Sequence, residues 1–263
     1  MPLSSSEIQE SMTLVIDTFK ELRPELMKNY GNIDHISKED NSPVTRLDVE
    51  VETMLKERLA EHFPHIGFHG EETEDTLSSS NSTWIIDPID GTSSFIHGLP
   101  YCTNMAGLVV DGETVAAVIY QFVTDDMYTA AKGGGAFKNG ERISIKNTPL
   151  DNSLVFSNSF VYMNMYPLMK PHHIGLYAPL GASGYEFTRL AQGSIQGVTK
   201  LNCGSQIHDD VPGVLIAREA GAEVESFDGH DYTYETLQLV IGTPNFISFI
   251  REHKSEISQI ISS

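Results

Sequence analysis

Apolar residues recur at steps of three and four from Ile8 through Met12, Val15, Phe19 and Leu22. That period lays them on one face of a helix. Ser4 to Ser6, followed by Glu7, supply the capping chemistry for its start. Pro24 is expected to kink or reset this helix before Leu26 and Tyr30. The stretch NIDHISKEDNSP is polar and turn-rich, and reads as a loop. From Thr45 a second helix is predicted, with Leu47, Val51, Leu55 and Leu59 on one face. It reaches Phe63, and Pro64 ends it.

The pattern then changes period. HIGFHGEE reads as a short strand running into Gly70, and STWIIDP as a second strand ended by Pro88. MAGLVVDGETVAAVIYQF is two apolar runs joined by Asp111-Gly112, and Asn139-Gly140 marks a second hairpin in MYTAAKGGGAFKNGERISI. LVFSNSF and SIQGVTKL read as strands around a short helix, YEFTRLAQG, which Gly193 stops. DDVPGVLIAREAGAEV is a helix with an acidic start and Gly221 at its end, then a strand. LQLVIGT and PNFISFIREH give a last strand and helix. Tyr162, Met163, Met165 and Tyr166 are read as core packing or loop, with a substrate lid or dimer contact as the alternative. Two helices, a strand meander and then alternating α and β imply stacked layers. One domain over 1–263 is expected, with an α+β half (1–150) and an α/β half (151–263).

Composition narrows the function. The 263 residues carry 17 Lys plus Arg against 36 Asp plus Glu, a net charge of −19. That balance argues against a duplex nucleic-acid binder, which needs a basic face, and against an anionic membrane surface. No apolar run approaches the ~18 residues needed to span a bilayer. The start, MPLSSSEIQESM, lacks a basic n-region, so no signal peptide is expected. Cys102 and Cys203 sit in no metal pattern, and read as free buried thiols of a cytoplasmic protein. A chain this acidic that binds an anion needs cations between, or a nest of backbone N–H groups.

DPIDGT, residues 87–92, meets that requirement. Asp87 and Asp90 fall where an apolar strand ends, and Gly91-Thr92 open a helical turn at SSFIH. Helix starts attract anions, and carboxylates can share that volume only with cations between them. Oxygen donors of this kind suit Mg²⁺. Glu71-Glu72 of GEE and Asp209-Asp210 of HDD can converge on the same place, giving a site for two or three divalent ions. Such sites clamp the oxygens of an in-line phosphoryl displacement. Taken singly, each group has a plainer role: an Asx turn at Asp87 and Asp90, an exposed loop at Glu71-Glu72, an N-cap at Asp209.

WIIDPIDGT, preceded by GEE and followed by HDDVPGVLIAREAGAEV, resembles the inositol monophosphatase family of Mg²⁺-dependent, lithium-sensitive phosphatases. GGGAFKNGERI is similar to the same family. The resemblance implies a five-layered αβαβα sandwich of the inositol monophosphatase and fructose-1,6-bisphosphatase type, a homodimer, and Mg²⁺ with Mn²⁺ as substitute. It makes Glu71, Asp87 and the Ile89 carbonyl ligands of one metal, and Asp87, Asp90 and Asp209 ligands of the next. Gly91 and Thr92 match the phosphate cradle. Asp48, in SPVTRLD, matches the partner of the threonine hydroxyl. Asp48, Thr92 and Glu71 would together orient and deprotonate a metal-activated water. Asp90, Gly181, Ala182, Ser183, Asn202 and Asp209 complete the implied substrate contacts.

The chain departs from the family pattern in the half that reads the alcohol. His208 stands where a Trp is usual, Val211 and Pro212 where two alanines are usual, and Ala178 where a basic residue leads the segment. Asp209 is taken as the ligand and Asp210 as flanking. Asn202 falls where inositol-specific members carry a glutamate, and KEDNSPVT is closer to the histidinol-phosphatase branch. The expected substrate is a small polyol or sugar phosphate such as inositol-1-phosphate. Histidinol phosphate, fructose-1,6-bisphosphate, NADP and 3′-phosphoadenosine phosphate are the alternatives. A covalent aspartyl-phosphate phosphatase is disfavoured, because its motif spaces the aspartates two apart. A non-catalytic metal-binding homologue is the reading from another class.

Overall fold

The computed structural model describes residues 3–157, 159–178, 181–201, 204–227 and 230–262, with residues 159–161 and 262 described by backbone alone. Helix α1 (Ser5–Asn29) begins at a reciprocal cap: Glu7 N donates to Ser4 Oγ at 3.2 Å, and Ser4 N to Glu7 Oε2 at 2.9 Å. It runs through Pro24 as one helix. Leu22 and Leu26 are buried on either side of the proline, so packing of the apolar face carries the helix across it. The polar stretch expected as loop is partly a ribbon, β1 (His35–Ser37) paired antiparallel with β2 (Pro43–Thr45). β1 is exposed throughout, which is why no apolar alternation marked it. Helix α2 (Arg46–His62) follows.

A seven-stranded sheet occupies the first half: β3 (Gly67–Gly70), β4 (Ser82–Asp90), then after α3 (Thr92–Ile96) β5 (Thr103–Val110), β6 (Glu113–Gln121), β7 (Asp126–Ala131), β8 (Gly135–Lys138) and β9 (Glu141–Ile143). Only β3 and β4 pair in parallel; the other neighbours are antiparallel, as the two hairpin turns require. Along β6, Ala116, Val118 and Tyr120 pack into the core under α1 and α2, while Ala117 and Ile119 pack on the other side. Both faces are buried, so the strand reads as an unbroken apolar run.

The second half holds β10 (Leu154–Ser157), α4 (Ser159–Met169), a 3₁₀ turn, β11 (Gly175–Tyr177), α5 (Ser183–Ala191), β12 (Gly197–Lys200), α6 (Ile207–Glu219), β13 (Glu223–Ser226), β14 (Leu239–Gly242), α7 (Pro244–Glu252) and α8 (Lys254–Ser262). Its sheet runs β11-β10-β12-β14-β13. α5 and α6 pack between the two sheets, and α4, α7 and α8 form the outer layer. Layers thus follow as α, β, α, β, α. The stretch around Tyr162 is helical: Met165 and Met169 are buried in the outer core, whereas Met163 and Tyr166 are exposed.

Candidate metal centre and active site

Pro88 does not end its strand. β4 continues to Asp90, with Asp87 opposite Met105, Asp90 opposite Thr103, and a register shift between. Residues three apart on a regular strand face opposite sides of the sheet. The extra residue of a bulge corrects that, so Asp87 and Asp90 turn to the same side. A bulge also tolerates a proline, which has no N–H for the ladder. The Pro88 carbonyl is held instead by Asn104 Nδ2 at 2.5 Å.

Ligand oxygens of Asp87, Asp90 and Asp209 lie within 4.8 Å of one another. Asp90 is buried and well partnered: Oδ1 accepts Ser183 N at 2.8 Å, and Oδ2 accepts Thr103 Oγ1 and Gly184 N at 2.8 Å each. The start of α5 is thereby fastened to the end of β4. Burial, then the charge of Asp209, pushes the Asp90 carboxyl up to about 7. Asp87 is also raised well above its ordinary range, by burial and by the neighbouring carboxylates of Glu71, Asp90, Asp209 and Asp48. Asp209 is held at the start of α6, where Oδ2 accepts Gln206 N at 2.6 Å.

Glu71 sits just past β3, in a loop tied from beneath. Glu52, fully buried on α2, accepts Thr73 N at 2.6 Å and Glu72 N at 2.9 Å. Gly70 makes this possible, since a Cβ there would lie 2.0 Å from Glu52 Oε1. Lys38, beyond β1, donates to Glu71 Oε1 at 2.6 Å and to Glu72 Oε1 at 2.5 Å. Glu72 is nonetheless raised to about 7, mainly by burial. On the far side of Glu71, His208 Nε2 lies 3.9 Å from Oε2.

Asp48 belongs to the cap of α2. Its Oδ2 accepts Thr45 N at 2.8 Å and Thr45 Oγ1 at 2.6 Å, while Oδ1 faces the Thr92 hydroxyl at 3.1 Å. Thr92 Oγ1 is also 2.9 Å from the Ile89 carbonyl, so its one proton is drawn to two acceptors. Burial raises the Asp48 carboxyl, against the bonds from Thr45 and Thr92. Gly91 has φ +82°, and a Cβ there would come 2.4 Å from the Tyr101 carbonyl and 3.0 Å from Ala182 Cβ. Gly91, expected in the phosphate cradle, therefore packs against Gly181-Ala182. Ser183 follows, its N–H on Asp90 and its Oγ accepting from the buried Lys200 ammonium.

Sequence reasoning missed Lys38, Glu52, Thr103 and Lys200. Lys200 had the best signal, a lysine closing an alternating apolar strand. Its Nζ lies 3.6 Å from Asp210 Oδ1, so the residue taken as flanking is a buried charge partner rather than a solvated neighbour. Asn202 and Cys203 lie outside the described residues, and Ala178, just past β11, is exposed. Cys102 is buried, and burial pushes its thiol up, away from reactivity. Asp87 Oδ1, with no protein partner, and the hard oxygen donors around it fit a divalent cation. No helix among the described residues is long and apolar enough to cross a membrane.

Comparison with known proteins places the chain in a family. An inositol monophosphatase of Dictyostelium discoideum is 30% identical over 260 residues, covering 92% of this chain and 93% of its own. A histidinol-phosphatase of Chlorobaculum parvum is 40% identical over 109 residues, 41% of this chain and 42% of its own. The crystal structure of the extragenic suppressor protein suhB from Bartonella henselae superposes with a TM-score of 0.84 at 26% identity, over 91% of this chain and 96% of that one. The model of the inositol monophosphatase family matches residues 5–261. With its fold and nearly its whole length matched, this chain belongs to the inositol monophosphatase family and is a phosphatase.

Proposed function

We propose that the chain is a Mg²⁺-dependent phosphomonoesterase that hydrolyses a small polyol or sugar phosphate such as inositol-1-phosphate. The observation that carries this is the convergence of Asp87, Asp90 and Asp209 with Glu71 beside a glycine-opened helical turn. Bound divalent ions would supply charge neutralisation and lower the pKa of the attacking water. Glu71, Asp87 and the Ile89 carbonyl would hold one ion, and Asp87, Asp90 and Asp209 another. Gly91 and Thr92 would direct backbone N–H groups at the phosphate. Thr92, with its own proton on Asp48, would accept a hydrogen bond from one O–H of the water and aim it in line. Glu71 would take the water's other proton. Gly181, Ala182, Ser183 and Asn202 would line the alcohol side.

The same reading takes the 263 residues as one catalytic domain, a lithium-sensitive cytoplasmic homodimer with two or three Mg²⁺ per site and Mn²⁺ as substitute. The Lys200 ammonium beside Ser183 is already balanced by Asp210, so fructose-1,6-bisphosphate and NADP stand as alternatives to be told apart by turnover. Phosphate release is to be measured with Mg²⁺ from inositol-1-phosphate, histidinol phosphate, fructose-1,6-bisphosphate, NADP and 3′-phosphoadenosine 5′-phosphate. Asp90→Asn serves as control. Inositol-1-phosphate should be turned over by the wild type alone. Equal inactivity of both proteins on all five would defeat the catalytic reading.

A further inference from the structure

His208 is 9% exposed, near the start of α6. A buried imidazole normally has hydrogen-bond partners. This one has no partner at Nδ1, and its Nε2 stands 3.9 Å from Glu71 Oε2, too far for a hydrogen bond. A ring nitrogen of His208 and oxygens of Glu71 and Asp87 form a second group whose atoms lie within 4.8 Å of one another. The separation of 3.9 Å is close to twice a metal–ligand distance of about 2.0–2.1 Å. Lys38 takes Glu71 Oε1, which leaves Oε2 turned to His208. Asp87 Oδ1 is buried without a partner beside them.

We propose that His208 is a metal ligand, completing with Glu71 and Asp87 a mixed nitrogen and oxygen site that prefers a first-row transition ion over Mg²⁺. The proposal rests on the reading that Glu71 and Asp87 hold a metal. Imidazole binds Co²⁺, Ni²⁺ or Zn²⁺ far better than Mg²⁺, whereas carboxylates serve both kinds of ion and Mn²⁺ accepts either donor. Asp87 belongs to both groups, so two unlike sites share it: one with a nitrogen donor, one built from Asp87, Asp90 and Asp209 alone. The position that departs from the family's usual tryptophan is thus the one that changes the donor set.

The test needs no turnover. Full-length protein stripped of metal is loaded with Mn²⁺ and examined by electron spin-echo envelope modulation for ¹⁴N coupling from an imidazole. Wild type should show it, His208→Phe should lose it, and His69→Asn, altering a histidine already bonded to Asp75, should keep it. By equilibrium dialysis, His208→Phe should weaken Co²⁺ binding at least about tenfold and Mg²⁺ binding by less than about twofold. Mn²⁺ bound to wild type without ¹⁴N coupling overturns the role of His208 and leaves the carboxylate site standing. Failure of Mn²⁺ to bind at all overturns the metal site itself. The wild-type spectrum decides even if His208→Phe folds poorly.

Discussion

Asp87 and Asp90 share one small volume but not one environment. Asp90 accepts Ser183 N, Gly184 N and Thr103 Oγ1, whereas Asp87 Oδ1 accepts nothing. One carboxylate therefore has a structural task, joining β4, β5 and the start of α5. The other is buried with no partner for Oδ1, a place that favours either a proton or a cation.

Their asparagine variants should part in stability while agreeing in function. Asp87→Asn removes an unbalanced buried charge, so the metal-free protein should gain about 1–3 kcal/mol at pH 8. Asp90→Asn turns an amide toward N–H donors and should lose about 1–3 kcal/mol. Both should abolish the stabilisation that divalent ions give. Urea titrations with and without chelator measure this, and equal shifts of the same sign in both variants would contradict it.

The acidic cluster also sets a pH dependence. Asp90 at about 7 and Asp87 above its ordinary range both bind protons more tightly folded than unfolded. Between pH ~4 and ~7 the unfolded chain therefore binds fewer protons, and stability falls as pH rises. Metal-free protein should melt higher at pH 5 than at pH 8. Saturating divalent ion should flatten or reverse the slope, and Asp87→Asn should reduce it. Calorimetry across that range, in chelator and in metal, is the measurement.

How far the site was legible depended on where each residue's role lies. Asp87, Asp90 and Glu71 sit at element ends in short motifs, and their spacing alone raised the question of cations. The bulge that joins Asp87 to Asp90 was not legible, because Pro88 reads as a stop unless a partner strand is known. Glu52 was hidden for a different reason. It lies among Val51 and Leu55 on a helix face, and only the tertiary position of the loop reveals why a carboxylate is buried there. Lys38 stood in a polar stretch whose ribbon had no apolar signal. The layers themselves followed from the change of period along the chain.

Glu52 is expected to act on a bound metal through the loop it holds. Glu52→Gln replaces one acceptor by a donor facing Glu72 N or Thr73 N, both now within 2.9 Å of a carboxylate oxygen. Glu71 then loses its fixed place. Divalent-ion affinity should drop about 10–100-fold, as when an outer partner of a ligand is removed. Isothermal titration would read it, with circular dichroism expected to report an intact fold. Unchanged affinity would mean that Lys38 alone suffices to place Glu71.

The pair of Thr92 and Asp48 should separate orientation from binding. The Thr92 hydroxyl proton has two acceptors within reach, Asp48 Oδ1 at 3.1 Å and the Ile89 carbonyl at 2.9 Å. Its lone pairs are thus the face left for an attacking water. If Ile89 turns its carbonyl to an ion, Asp48 becomes the remaining acceptor, and the hydroxyl is fixed in one direction. Thr92→Val keeps the shape and deletes the acceptor. It should lower kcat about 10²–10⁴-fold, with KM and divalent-ion affinity within about threefold of wild type. Thr92→Ser keeps the hydroxyl and should restore most of the rate. Asp48→Asn should fall between them, because an amide oxygen can still accept from Thr92 while its charge is gone. A loss in Thr92→Val that appears in metal affinity rather than in kcat would assign the hydroxyl to building the site instead of aiming the water.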